Sequence, residues 1–141
     1  RYSFGDSPRE LARFANFADA ALLRQDSDFH YGDPTFDDGT GKCPAPIGSY
    51  QPNAWGIHDM HGNVNEICAD GYLNALRGGL DPWEQRIKEG DVVIRGGAWS
   101  STSEYCQAGF RNSVGHKDNS GEFANVGLRV ILSSMELNEK Q

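Results

Sequence analysis

Long apolar runs are missing from this chain of 141 residues. No stretch reaches the roughly 18 apolar residues of a transmembrane helix, so no membrane span is expected. Positive charge is scarce too: 13 Lys and Arg against 20 Asp and Glu leave a net charge of -7. A sequence-independent nucleic-acid binder needs a cationic surplus to displace counterions, so nucleic acid is excluded as a partner. No polybasic stretch offers an anionic membrane a footing, which excludes the membrane as well. Cysteine is sparse: Cys43, Cys68 and Cys106 are an odd, widely spaced set. They cannot form a complete disulfide framework, and no C-x-x-C pair exists for structural zinc or thioredoxin-type chemistry. There is no G-x-S-x-G nucleophile motif and no internal repeat.

What the chain does have is 17 Gly, 6 Pro and 11% aromatics. That composition favours turns over long helices or strands. A loop-rich fold held by scattered aromatics, polar networks and metal ions is the expectation. The excess of carboxylates suits divalent cations, although most of it reads as solvated surface.

Ser7-Pro8-Arg9-Glu10 reads as a helix start, with Ser7 as cap, Pro8 in the first turn and Glu10 completing an S-x-x-E box. Leu11, Phe14 and Phe17 follow near helical spacing, and Asn16 and Asp19 lie close to the helix end. Residues 25–51 show no periodicity. Turn residues at Asp33-Pro34 and Asp37-Asp38-Gly39, with aromatics Phe29, Tyr31, Phe36 and Tyr50, predict a long ordered loop. Residues 53–72 form the densest segment, 73–89 an excursion, and 133–141 a polar tail. Strands are predicted over 91–95, followed by Gly96-Gly97, and over 125–132.

Three segments carry a resemblance. Asn53-Ala54-Trp55-Gly56-Ile57-His58-Asp59-Met60-His61-Gly62-Asn63-Val64-Asn65-Glu66 is the first, Val93-Ile94-Arg95-Gly96-Gly97-Ala98-Trp99 the second, and Asn125-Val126-Gly127-Leu128-Arg129-Val130 the third. In this order they resemble the signatures of the formylglycine-generating enzyme (sulfatase-modifying factor) family, and Tyr2-Ser3-Phe4-Gly5-Asp6 resembles a mid-domain stretch of it. The likeness runs over residues 2–132. It implies that 1–141 is the C-terminal part of a single such domain, without the family's N-terminal part. It also implies an α+β, C-type-lectin-like fold with a small mixed sheet and little regular secondary structure. Asn65 and Ile67 stand where the family carries tryptophans, while Glu66 is kept.

The resemblance implies structural calcium at two places. Asn63 and Glu66 would supply side-chain ligands at one, and Asn16 with Asp38 at the other. Oxygen donors close together in sequence suit a hard cation, and ordinary turn hydrogen bonding is the alternative. It further implies copper, if the domain is catalytic. Active members place two cysteines after the glycine-glycine strand, and soft thiolates hold a cuprous ion while oxygen oxidises a substrate cysteine to formylglycine. Cys106 falls in the position of the first. Arg111 and Ala108, where the second would fall, are not thiols. Cys68 reads as a small buried hydrophobe. His58 and His61 have no metal-type spacing and read as turn histidines. Arg111 and Arg129 call for carboxylate partners, with Glu66 and Asp70 as candidates.

The segment after Gly97 is rich in small polar residues and aromatics, a composition suited to an adaptable binding surface. Trp99, Ser103, Tyr105, Asn112 and His116 are its candidate contacts. The same fold serves as the variable receptor of diversity-generating retroelements, where this region carries the ligand-binding residues. Three functions therefore compete. One is a copper- and oxygen-dependent cysteine oxidase lacking its second thiol. Another is a non-catalytic binding module for a protein, peptide or carbohydrate. The third is the accessory domain of an ergothioneine-type sulfoxide synthase.

Overall fold

The computed structural model describes residues 1–76, 78–79, 91–115 and 124–131. The chain opens with a 3₁₀ helix, Pro8–Arg13. Ser7 caps it by accepting the Arg9 amide at 3.3 Å. The predicted capping box is only half made: Glu10 turns instead to Arg13, at 2.6 Å. Three residues per turn suits so short a piece, and it ends at Phe14. A second helix, α1 (Ala20–Gln25), which the sequence reading did not foresee, ends where that reading expected the loop to begin. Its cap is Asp19, whose Oδ1 accepts the amides of Ala21 and Leu22.

Four short strands make one sheet: β1 (Asn65–Gly71), β2 (Val92–Arg95), β3 (Asn112–Val114) and β4 (Val126–Gly127), in the order β3-β2-β1-β4. β1 and β2 run antiparallel with Ile67 opposite Ile94, and the register slips between Ile67 and Gly71. β2 and β3 are antiparallel with Val93 opposite Ser113. β4 lies parallel to β1, Asn65 opposite Val126. The mixed sheet and few helices match the α+β expectation. β2 lies where the sequence placed a strand. β1 and β3 were not foreseen. The strand expected over 125–132 shortens to two residues, beyond which Leu128, Val130 and Ile131 stand exposed. The tail and most of the 73–89 excursion lie outside the described residues.

The core lies beside this sheet. Tyr2, Leu11, Ala15, Phe17 and Cys106 are buried together, with Phe4, Ala12 and Phe36 packed against them. Phe4 stacks between Tyr2 (5.1 Å) and Phe14 (4.4 Å). Aromatic pairs of this kind add stabilisation beyond their buried area.

Two backbone crossings organise the loops. The Asn63 amide donates to Asn16 O at 2.7 Å, the Gly62 amide to Gly96 O at 2.7 Å, and the Trp99 amide to Asn63 O at 2.9 Å. Gly62 has φ +67, and a Cβ there would sit 2.1 Å from Asn16 O. Gly97, at φ +77, lies so close to Cys106 that a Cβ would be 2.8 Å from Sγ. Both positions require glycine for backbone angle and for space.

Gly62→Ala is therefore expected to lower stability by about 3 kcal/mol, since strain and overpacking add. Gly56 shares the positive φ, +77, but has nothing within 4 Å of its missing Cβ. Gly56→Ala should cost only about 1 kcal/mol. Chemical denaturation of both variants checks this, and equal losses would contradict the close-crossing argument.

Candidate functional site

The Asn16–Asn63 crossing places a polar centre under the loops. Asn16 is fully buried, and its Nδ2 donates to Cys43 O at 3.0 Å and to Asn63 Oδ1 at 3.4 Å. Its own Oδ1 is buried without a partner. The Asp38 carboxylate faces the next peptide, accepting the Phe17 amide at 2.9 Å on Oδ2 and the Thr40 amide at 2.7 Å on Oδ1. Burial pushes the Asp38 carboxyl up to about 6, against those two amides. Asp19, also fully buried, accepts the Asp38 amide on Oδ2 and is raised by burial as well. Tyr50 closes this side, its hydroxyl 2.8 Å from Thr40 Oγ1 and pushed up to about 12 by burial. The orphaned Asn16 carboxamide oxygen and the desolvated Asp38 carboxylate, which holds the amide of the adjacent residue Phe17, are oxygen donors of the kind a hard cation takes. Asp19 and Tyr50 are the members of this centre that sequence reasoning did not connect to it; Asp19 showed itself only as a residue near a helix end.

The other expected pair has separate partners. The Asn63 carboxamide is spent on Ala45, accepting its amide at 2.8 Å and donating to its carbonyl at 3.2 Å. The Glu66 carboxylate instead grips Arg129, whose Nε and Nη2 approach it at 2.6–3.0 Å. Arg129 Nη2 also donates to His58 O at 3.0 Å. This ion pair is the carboxylate partnership the sequence suggested for Arg129, and it ties the segment after β4 to the start of β1. Arg111 lies over the Tyr72 ring at 5.5 Å and donates to Leu73 O. Sequence reasoning also passed over Asp59, in left-handed backbone at φ 57, whose Oδ1 is buried without a partner.

Cys106 is fully buried in the core, and burial pushes its thiol up to about 12. Copper ligation needs an accessible thiolate, so this site does not fit copper. Cys43 is exposed and Cys68 half-buried, and all three cysteines are free. Among the described residues, no three of His, Cys, Asp or Glu gather where they could hold a metal ion. His61 braces Cys106. Its Nδ1 is 2.8 Å from Cys106 O, which can only accept, so Nδ1 carries the proton. Nε2 then accepts the Ser3 amide at 3.0 Å. His58 caps Tyr50 O at 2.8 Å.

A cavity of about 580 Å³ opens elsewhere in this framework. The sheet forms its floor through Asn65, Ile94, Asn112 and Val126, and Tyr105 and Phe110 form a wall, packed edge to face at 4.6 Å. Tyr105 and Asn112, two of the predicted contacts, line it. Trp99 and Ser103 do not. Trp99 Nε1 instead donates to Ala124 O at 3.2 Å, holding the segment that carries Asn125 into the lining. Ser103 is buried, and its carbonyl accepts the Tyr2 hydroxyl at 2.9 Å. His116 lies outside the described residues. Ser100 and Thr102, which the sequence marked only as part of a polar stretch, and Asn125, which it placed at the start of a strand, also line it.

These features define an α+β, loop-dominated domain whose small mixed sheet carries a cavity on one face. The chain belongs to the sulfatase-modifying factor enzyme 1-like domain family, whose model matches residues 1–134. Its fold is the C-type-lectin-like fold of that family. It is similar to Treponema denticola variable protein 1 (21% identity, TM-score 0.60, covering 88% of this chain and 37% of that one). It is also similar to PvdO from Pseudomonas aeruginosa (29% identity, TM-score 0.53, 75% and 35%). Among curated proteins it is 33% identical over 86 residues to serine/threonine-protein kinase pkn1 of Chlamydia caviae, covering 54% of this chain and 12% of that protein. The pkn1 of Chlamydia pneumoniae is 34% identical over 83 residues, covering 52% and 12%. The chain thus spans about an eighth of these curated relatives.

Burial lowers the affinity of His61 for a proton. The unfolded chain, with an ordinary histidine near 6.5, then binds the proton that the folded chain refuses. This contribution to stability is complete above the ordinary value and is lost as pH falls through it. Asp38, raised to about 6, works in the opposite sense: its burial costs stability as pH climbs through that value. Comparing wild type with His61→Gln separates the two. The variant should lose the destabilisation below about pH 6.5 and keep the Asp38 slope, as read from melting temperatures across pH. Parallel curves for both proteins would contradict the His61 assignment.

Proposed function

We propose that this domain is a non-catalytic, ligand-binding member of its family, with the cavity over the sheet as its binding face and calcium as a structural ion. One observation carries this reading: the only cysteine near the family's catalytic position points into the core beside Gly97, while the cavity is walled by Tyr105, Phe110, Asn112 and Ser100. A cavity of this size, part aromatic and part carboxamide and hydroxyl, suits recognition of a small ligand or a protruding group of a larger one. Oxidation of a substrate cysteine is no part of this reading. A protonated, solvent-shielded thiol neither holds cuprous ion nor meets a substrate.

Calcium would be held by Asn16 Oδ1 and the Asp38 carboxylate, with neighbouring carbonyls completing the shell. Its contribution is electrostatic: a cation offsets the cost of burying Asp38 beside Asp19. The ion would brace the loops on which the Asn63 crossing rests.

Two measurements test this. Incubation with copper, oxygen and a cysteine-containing sulfatase-type peptide should yield no aldehyde, and alkylation of the native protein should modify Cys43 and spare Cys106. Aldehyde formation that disappears in Cys106→Ser would overturn the non-catalytic reading. For calcium, wild type should melt several degrees higher with the ion than in chelator, and Asp38→Asn should lose most of that gain. One kcal/mol is worth about 2–8 °C in a domain of this size. No calcium effect on wild type would remove the ion from the account.

A further inference from the structure

The described residues that line the cavity carry no charge. Among the described residues, Tyr31, Tyr105, Phe110, asparagines, small hydroxyls and aliphatic side chains form it, and no Asp, Glu, Lys, Arg or His does. That is unexpected on a chain of net charge -7. Two carboxylates are held by hydroxyls of the lining residues: Glu104 accepts from Thr102 at 2.7 Å and Asp91 from Ser113 at 3.2 Å. Among the described lining residues there is no cation, and an anionic ligand set against them would lose its hydration uncompensated. A purely apolar ligand would strand the carboxamides and hydroxyls, at a cost of about 1–3 kcal/mol each.

A peptide entering as an added strand needs free edge donors on the sheet. Both edges of the sheet, β3 and the two-residue β4, reach the cavity, and on β3 the Ser113 amide is already taken by Asn112 Oδ1 at 2.8 Å. That local bond blunts the edge. What remains are rings and unspent polar atoms. No hydrogen bond is made by the hydroxyls of Tyr31 and Tyr105 or by Nδ2 of Asn112 among the described residues, and the two tyrosines are 76% and 45% exposed. A ring offers a flat apolar face, and carboxamides offer donor and acceptor side by side.

From this we infer that the cavity takes an uncharged saccharide, its C–H face laid against Tyr105 and Phe110 and its hydroxyls paired with Asn112, Asn125 and Ser100. The inference rests on the binding-module reading above and names the ligand class for that same cavity. Preformed walls support it: Trp99 fixes the Asn125 segment, and Asn125 Nδ2 is 3.4 Å from Ser100 Oγ.

The test is a panel of neutral oligosaccharides, a matched panel carrying sialic acid or sulfate, and a library of uncharged peptides. Binding is read by shifts of the backbone amide signals of Tyr105, Asn112 and Asn125. At least one neutral oligosaccharide should move these signals, with an affinity independent of salt. Tyr105→Ala and Asn112→Ala should each weaken binding about tenfold, the loss of a stacking face or of a hydrogen-bonded carboxamide. Tyr105→Phe should retain most of it, which separates stacking from misfolding. Binding confined to the anionic panel, or to peptides that shift the same amides, would overturn the saccharide and leave the binding module standing. Silence from all three collections would overturn both.

Discussion

One backbone crossing governs this domain. Residues 62 and 63 pass so close to Asn16 that only glycine fits at 62, and from that point amides and carbonyls run to Asn16, Gly96 and Trp99. In a chain with so little regular structure, these bonds do the work that sheet ladders do elsewhere. They are buried, and a buried amide or carbonyl left without a partner costs more than a made bond contributes. The crossing therefore either closes completely or the loops lose their shape. Asn63 reinforces it by clasping Ala45 with both ends of its carboxamide, which joins the 26–64 loop to the same point.

Both regions proposed to be functional are tied to the crossing by hydrogen bonds, one through Asn16 and the other through Trp99. In the first, Asn16 and Asp38 form a polar centre that is electrostatically incomplete, with an unpaired oxygen and a carboxylate held in charged form only at a cost. In the second, the Trp99 amide leads into the segment that walls the cavity, and the Trp99 indole holds the opposite rim. A change at the polar centre would reach the cavity through Asn63 and Trp99, one hydrogen bond at a time. His61 and Gly97 fix Cys106 between these regions, which turns a reactive residue type into packing.

Much of this was legible in the sequence, for identifiable reasons. Gly96-Gly97 marked a turn or close approach after the strand, and Gly97 makes it; the closer approach at Gly62 was not read from the sequence. β2 showed itself through Val92-Val93-Ile94, since β-branched residues favour a pleated, half-buried surface. β1 was missed because Asn65-Glu66-Ile67-Cys68-Ala69-Asp70 has no clean alternation, and its pairing with β2 slips in mid-strand. β3 was missed because Asn112-Ser113 is a polar pair whose strand geometry comes from β2 alone. Helix α1 was overlooked because six residues carry too little periodicity, although Asp19 before Ala-Ala-Leu-Leu was a capping signal. Of the residues expected at a ligand surface, Tyr105 and Asn112 line the cavity, while Trp99 and Ser103 do not and serve the frame around it. Position along the chain could not separate these duties, because adjacent residues in irregular backbone face opposite ways.

Native-state hydrogen exchange, followed amide by amide, puts the crossing to its most direct trial. The account predicts that the amides of Gly62, Asn63 and Trp99 exchange together, at the slowest rate in the domain, through global unfolding alone. Exchange of these three with the exposed loops, while Val93 and Ile94 stay protected, would contradict it.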